Sequence, residues 1–158
     1  MLKDKRSGKI AIVAHCILNQ NSRVLGLAER PSVAELVEFL MRNDFGIVQL
    51  QCPELTYAGI FRQPKTKEQY DNAAFRKHCR KIAEETIQQI QEYAKSDIKT
   101  KIIIGVNGSP SCGVTDSGIL IEELSSILKE KRIVIPFYGI VYERLSEDLS
   151  ELQKLIRS

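Results

Sequence analysis

No stretch of this chain resembles a membrane span. The first apolar run, inside MLKDKRSGKIAIVAHCILN, is short and broken by His15, and no small-residue cleavage site follows it. A protein without a secretory leader, working in the cytoplasm, is therefore expected. Also missing are a concentrated basic patch and an interleaved aromatic platform. The 23 Lys and Arg are mixed with 20 Asp and Glu, as in KHCRKIAEE, and the net charge is only +3. Nucleic acid and membrane are thus not expected partners; a small-molecule substrate is. No linker, repeat or low-complexity segment divides the 158 residues, a length ordinary for one domain with a real core, so a single domain over 1–158 is expected.

Several catalytic signatures are absent too. There is no G-x-G-x-x-G and no H-E-x-x-H, and GVNGSPSCG lacks the lysine of a phosphate-binding Walker loop. CILNQNSR places Arg23 one residue too far from Cys16 for a phosphatase C-x5-R loop. Closely spaced C-x-x-C knuckles, the mark of structural zinc, do not occur.

What is present is an alternation of two periods. KIAIVAHC (9–16), GIVQLQC (46–52), TKIIIGVN (100–107) and RIVIPFYGIVY (132–142) are apolar runs rich in β-branched residues and read as buried strands. Helical stripes lie between them. Val33, Leu36, Val37, Leu40 and Met41 form one, with Ser32 and Glu35 spaced as a capping box. A long helix is expected over 68–94, with Phe75, Cys79, Ile82, Thr86, Ile90 and Tyr93 inward, and another in DSGILIEELSSILKEK. SEDLSELQKLIRS closes as an amphipathic helix, and PELTYAGIFRQPKTK (53–67) reads as a long patternless loop. Strand alternating with helix predicts a single-domain, three-layer Rossmann-like α/β fold with a mostly parallel four-stranded sheet.

Four cysteines stand at 16, 52, 79 and 112. In a reducing compartment they point to metal binding or thiol chemistry rather than to disulfides. Cys79 falls mid-helix on the apolar stripe and reads as a core thiol, with His78 beside it on a more polar face. The other three share an address. Cys16 ends strand one, Cys52 ends strand two and Cys112 follows strand three, so a parallel sheet carries all three to its carboxyl edge, where such folds bind ligands. Around Cys112 the loop GSPSCG is nearly all backbone. It is expected to offer successive N–H groups, and the N-terminus of the next helix, to a thiolate or an anionic cluster. Three soft ligands without a fourth suit zinc with a bound water, or a [4Fe-4S] cluster with one iron open; the missing knuckles favour the cluster. His15 adjoins Cys16 within an expected strand and should face away from it.

Cys-Pro-Glu at 52–54 and Ser-Pro-Ser-Cys-Gly at 109–113, with a cysteine ending strand one, resemble the 2-thiouracil desulfurase-like proteins over roughly residues 9 to 142. The resemblance implies an oxygen-labile [4Fe-4S] cluster held by Cys16, Cys52 and Cys112, with Glu54 and a serine, Ser109 or Ser111, near the reacting centre. A mechanism consistent with these residues is hydrolytic removal of sulfur from a thiocarbonyl compound, with Asn19, Asn107, Ser109 and Ser111 as candidate hydrogen bonders to a polar ring and Arg62 and Tyr57, on the long loop, expected to cover it. Two segments depart from the family pattern: CILNQNSRVLG has Asn19 for a glycine and no Tyr-Asp pair, and LTYAGIFRQPKT lacks a Gly-Gly pair. The resemblance therefore carries the ligands over further than it carries thiouracil as substrate. An iron–sulfur carrier or sensor, a zinc or redox thiol protein, and an interaction module with buried cysteines are the rival readings.

Overall fold

Residues 3–157 are described by a computed structural model. The apolar run Lys9–Ala14 (β1) is buried along nearly its whole length because it is flanked on both sides. It pairs in parallel with Gly46–Leu50 (β2) and with Lys99–Val106 (β3), and β3 pairs in parallel with Phe137–Ile140 (β4). The order β2-β1-β3-β4 makes one wholly parallel four-stranded sheet. Alternate side chains feed two cores. On one face Ile10, Ile12 and Ile103 pack beneath Ala73–Ala94 (α5) and Ile119–Glu130 (α6). On the other, Ala11, Val13, Ile102 and Ile104 pack beneath Ala34–Arg42 (α2) and Leu145–Arg157 (α7). This is the expected three-layer Rossmann-like α/β domain. Among the described residues no helix is long and apolar enough to cross a membrane.

Several boundaries differ from the sequence expectation, each for a local reason. β1 stops at Ala14, and His15–Leu18 (α1) is a helical turn, so Cys16 lies just past the strand. The stretch after Cys52 is not patternless: Pro53–Ala58 (α3) is a helix with proline in its first turn and the Cys52 sulfur accepting from the Leu55 N–H at 3.5 Å. The long helix is broken. Lys67–Tyr70 (α4) carries a full Thr66–Gln69 capping box, and Asn72 then caps α5 through its Oδ1. The break lets the Tyr70 ring stack on Phe75 at 4.5 Å. The Ser32–Glu35 box does not form; α2 starts after Val33, whose N–H donates to the Ile17 carbonyl, and Glu35 pairs with Arg30 at 2.9 Å instead. β4 is shorter than 132–142, because Arg132 takes a positive φ of 57° and Pro136 has no N–H to pair.

One buried carboxylate ties α7 to the end of β4. Asp148 is 3% exposed; its Oδ1 accepts from the Tyr138 hydroxyl at 2.7 Å and its Oδ2 from the Val141 N–H at 2.8 Å. Asp148→Ala would strand both donors. A loss of about 3 kcal/mol is expected, read as a fall in Tm of about 10 °C by calorimetry. Asp148→Asn, which keeps an acceptor, should lose less.

Candidate functional site

Because the connection after β1 runs outward to β2 on one side and the connection after β3 runs outward to β4 on the other, a crevice opens where the two diverge, at the carboxyl ends of the strands. A cavity of about 420 Å³ occupies it. Cys16, Cys52 and Cys112 all line it, with Glu54, Asn107, Ser109 and Ser111. Cys16 comes from α1, Cys52 from the N-terminus of α3 and Cys112 from the loop after β3. Each of the three thiols is held above its ordinary pKa, chiefly by burial. Cys112 is pushed up to about 12 by burial and by Cys16, against the Ser109 hydroxyl. Cys52 is raised by burial, against the Leu55 N–H. Cys16 is raised by burial, against Tyr142 and Arg23. Cys79 stands apart, fully buried in α5 and also pushed up to about 12 by burial.

The loop around Cys112 is built differently from the expectation. Its N–H groups do not form an open nest. Ser111 N–H and Cys112 N–H both donate to Ser109 Oγ, at 3.3 and 3.1 Å, and Val114 and Thr115 N–H both donate to Asn107 Oδ1. Nor does a helix aim its positive end at the thiol. α6 begins at Ile119, three residues later than expected, and its first N–H groups donate to the Pro110 and Ser111 carbonyls. The small residues serve close approach instead. A Cβ on Gly105 would run into the Cys112 carbonyl, which accepts from the Val106 N–H at 3.2 Å, so strand and loop can meet only with glycine there.

Glu54 reaches the cavity from the first turn of α3. Ser111 Oγ donates to its Oε2 at 2.7 Å, and Ser109 Oγ lies at 3.5 Å from the same oxygen. Its Oε1 faces Arg62 Nε at 3.8 Å, the two side chains being 12% and 4% exposed. Arg62 donates its other guanidinium N–H groups to the Gly59 and Ser22 carbonyls, which joins the connections after β1 and β2. Arg62 is thus a buried counter-charge in the site wall rather than a surface cover. Ser111 is Glu54's close partner, while Ser109 chiefly folds the loop.

Three expected site residues do other work. Asn19 does not line the cavity; it is exposed, and its Oδ1 accepts from Asn21, capping the turn Gln20–Ser22. Asn107 lines the cavity, but its amide is spent on Val114, Thr115 and the Gly139 carbonyl, so it shapes the site without a free donor for a ring. Tyr57 packs edge-on against Phe75 at 5.1 Å, away from the cavity. His15 lies in α1 rather than in a strand, and still cannot face Cys16, since neighbours in a helical turn diverge. His78 is not a free surface group; its Nε2 lies 2.6 Å from Thr56 Oγ1. Missed from the sequence were Tyr142, whose hydroxyl lies 3.7 Å from Cys16 Sγ, and Arg23, whose guanidinium sits 5.2 Å from the Tyr142 ring centroid. The signal was available: Tyr142 follows strand four as the three cysteines follow the others.

Among the described residues no group of three or more His, Cys, Asp or Glu side chains is arranged to hold a metal ion. All three thiols line one cavity. A cubane cluster takes each thiolate on a different iron, so three soft thiols around one enclosed space suit such a cluster by their chemistry.

The family described as "Putative 2-thiouracil desulfurase" matches residues 8–147. An uncharacterized protein of Methanocaldococcus jannaschii is 44% identical over 158 residues, covering 98% of this chain and 97% of that protein. No solved structure matches the chain.

The thiol environments predict a pH dependence in protein free of metal. Cys79 and Cys112 keep their protons to about 12 in the fold, whereas the same thiols ionise near 9.0 when unfolded. The unfolded chain then binds fewer protons, so stability falls as pH rises from 9 toward 12. Chemical denaturation across that window measures it, and Cys79→Ala with Cys112→Ala should flatten the slope.

Proposed function

The chain belongs to the putative 2-thiouracil desulfurase family, and on that premise we propose that it removes sulfur from a small thiocarbonyl compound by hydrolysis, at a [4Fe-4S] cluster held by Cys16, Cys52 and Cys112. What supports the reading is one observation: three thiols and a hydrogen-bonded carboxylate line a single cavity at the switch point of the sheet. The cavity volume, about 420 Å³, suits a small heterocycle. When bound, a cluster with three protein thiolates supplies a Lewis-acid iron for the sulfur of the substrate.

The remaining chemistry falls to side chains. In balance, a thiocarbonyl and water give a carbonyl and hydrogen sulfide; a C–O bond forms, the C–S bond breaks, and no electron is gained or lost. Ser111 fixes the Glu54 carboxylate by its hydrogen bond to Oε2. Glu54 Oε1 is the oxygen left to take a proton from the attacking water and return it to the departing sulfur. Arg62 supplies the buried counter-charge beside it. Ser109 holds the loop that carries both Ser111 and Cys112. Metal uptake must displace three thiol protons, because burial keeps all three thiols protonated at neutral pH.

Anaerobic reconstitution with iron and sulfide tests the reading. Iron and sulfide content with the visible charge-transfer absorption of a cluster is expected in the wild type. Both should be lost in Cys16→Ser, Cys52→Ser and Cys112→Ser and kept in Cys79→Ser. A cluster indifferent to those three cysteines, or zinc in its place, overturns it. With 2-thiouracil and other thiocarbonyl heterocycles as trial substrates, Glu54→Gln should keep the cluster and lower sulfide release by about 10²–10⁴-fold.

A further inference from the structure

Tyr142 stands at the carboxyl end of β4 and closes the cavity on the side of Cys16. Its hydroxyl lies 3.7 Å from Cys16 Sγ and has no other hydrogen-bond partner among the described residues. Three contacts fix where that hydroxyl sits. The Val141 N–H, one residue before, donates to buried Asp148 at 2.8 Å and anchors the backbone. The Arg23 guanidinium lies 5.2 Å from the centroid of the Tyr142 ring, within cation–π range, and it is itself held by a 2.9 Å bond to the Leu27 carbonyl. Arg23 thus lies between the Tyr142 ring and the side of the cavity that Cys16 lines.

We propose that Tyr142 is a positioning residue of this site, donating its hydroxyl hydrogen to the Cys16 sulfur when that sulfur is a metal-bound thiolate, with Arg23 holding the ring in register. The proposal rests on the reading of Cys16 as a cluster ligand. The direction of the bond follows from proton count: a ligating thiolate carries no hydrogen and can only accept, whereas the tyrosine has one hydrogen to give. A hydrogen bond to a ligating sulfur withdraws electron density from it. The iron served by Cys16 then receives less from its thiolate, and the more negatively charged, reduced cluster is the state favoured. For a hydrolytic reaction the benefit is a more electron-poor metal. The residue touches the ligand and not the reacting carbon, so its contribution is electronic and geometric.

The test is the midpoint potential of the reconstituted cluster, measured anaerobically by a redox titration followed in the visible, in wild type, Tyr142→Phe, Arg23→Ala and the double variant. Tyr93→Phe serves as control, since that tyrosine stands on α5 and does not line the cavity. Tyr142→Phe is expected to load its cluster fully and to titrate at a more negative potential than wild type, with Tyr93→Phe unchanged. Arg23→Ala should shift in the same direction. In the double variant the shift should be smaller than the sum of the two single shifts, because part of the Arg23 effect runs through the ring and the rest is its charge beside Cys16. A loaded Tyr142→Phe cluster with the wild-type potential overturns the proposal while leaving the cluster reading standing. Fully additive shifts overturn the part given to Arg23. A wild type that takes up no cluster overturns the cluster reading and this proposal together.

Discussion

β1 is hydrogen-bonded on both edges, to β2 and to β3, and the chain runs outward from β1 to β2 and from β3 to β4, in opposite directions. The site depends on that arrangement. Parallel pairing sends every strand the same way, so the segments after Ala14, Leu50, Val106 and Ile140 arrive at one edge. The divergence of the connections after β1 and β3 leaves a gap that neither covers. Cys16, Cys52, Cys112 and Tyr142 are one residue group only because of this geometry; in sequence nothing joins them.

Within the gap, backbone polarity is spent inward. The N–H groups of the loop after β3 are consumed by Ser109 Oγ and Asn107 Oδ1, and the first turn of α6 is closed by the Pro110 and Ser111 carbonyls. The loop gains rigidity and gives up an anion-binding surface. Burial therefore dominates the three thiols and holds them protonated, and the charges of Arg23 beside Cys16 and Arg62 beside Cys52 do not offset it. Glu54 is served separately, by Ser111 on one oxygen and Arg62 facing the other.

The architecture was legible because strand and helix periods alternate cleanly, and the sequence alone places the three cysteines together because each ends a strand or follows one. Other features were hidden for physical reasons. α3 was unreadable because its cap is a cysteine sulfur, outside the usual capping set. The long helix showed one unbroken apolar stripe, and only Asn72 capping Phe75 marks the break. Asn19 and Asn107 looked like ligand binders by type, yet both side chains bond to the nearby chain, as short amides do in turns. Asp148 looked like the polar face of an amphipathic helix; its burial depends on Tyr138 and the end of β4, which no local pattern encodes.

The three cysteines belong to three separate crossovers. An unfolded or half-made chain has no local pair of thiols with which to grip a metal, and bringing the three together in a loose chain would cost the closure of two long loops. The scaffold bears that cost when the sheet assembles, with hydrophobic burial on both faces as the driving force. Three thiols gathered in this way form part of a folded surface, and a group bound there would meet a finished berth instead of helping to build one.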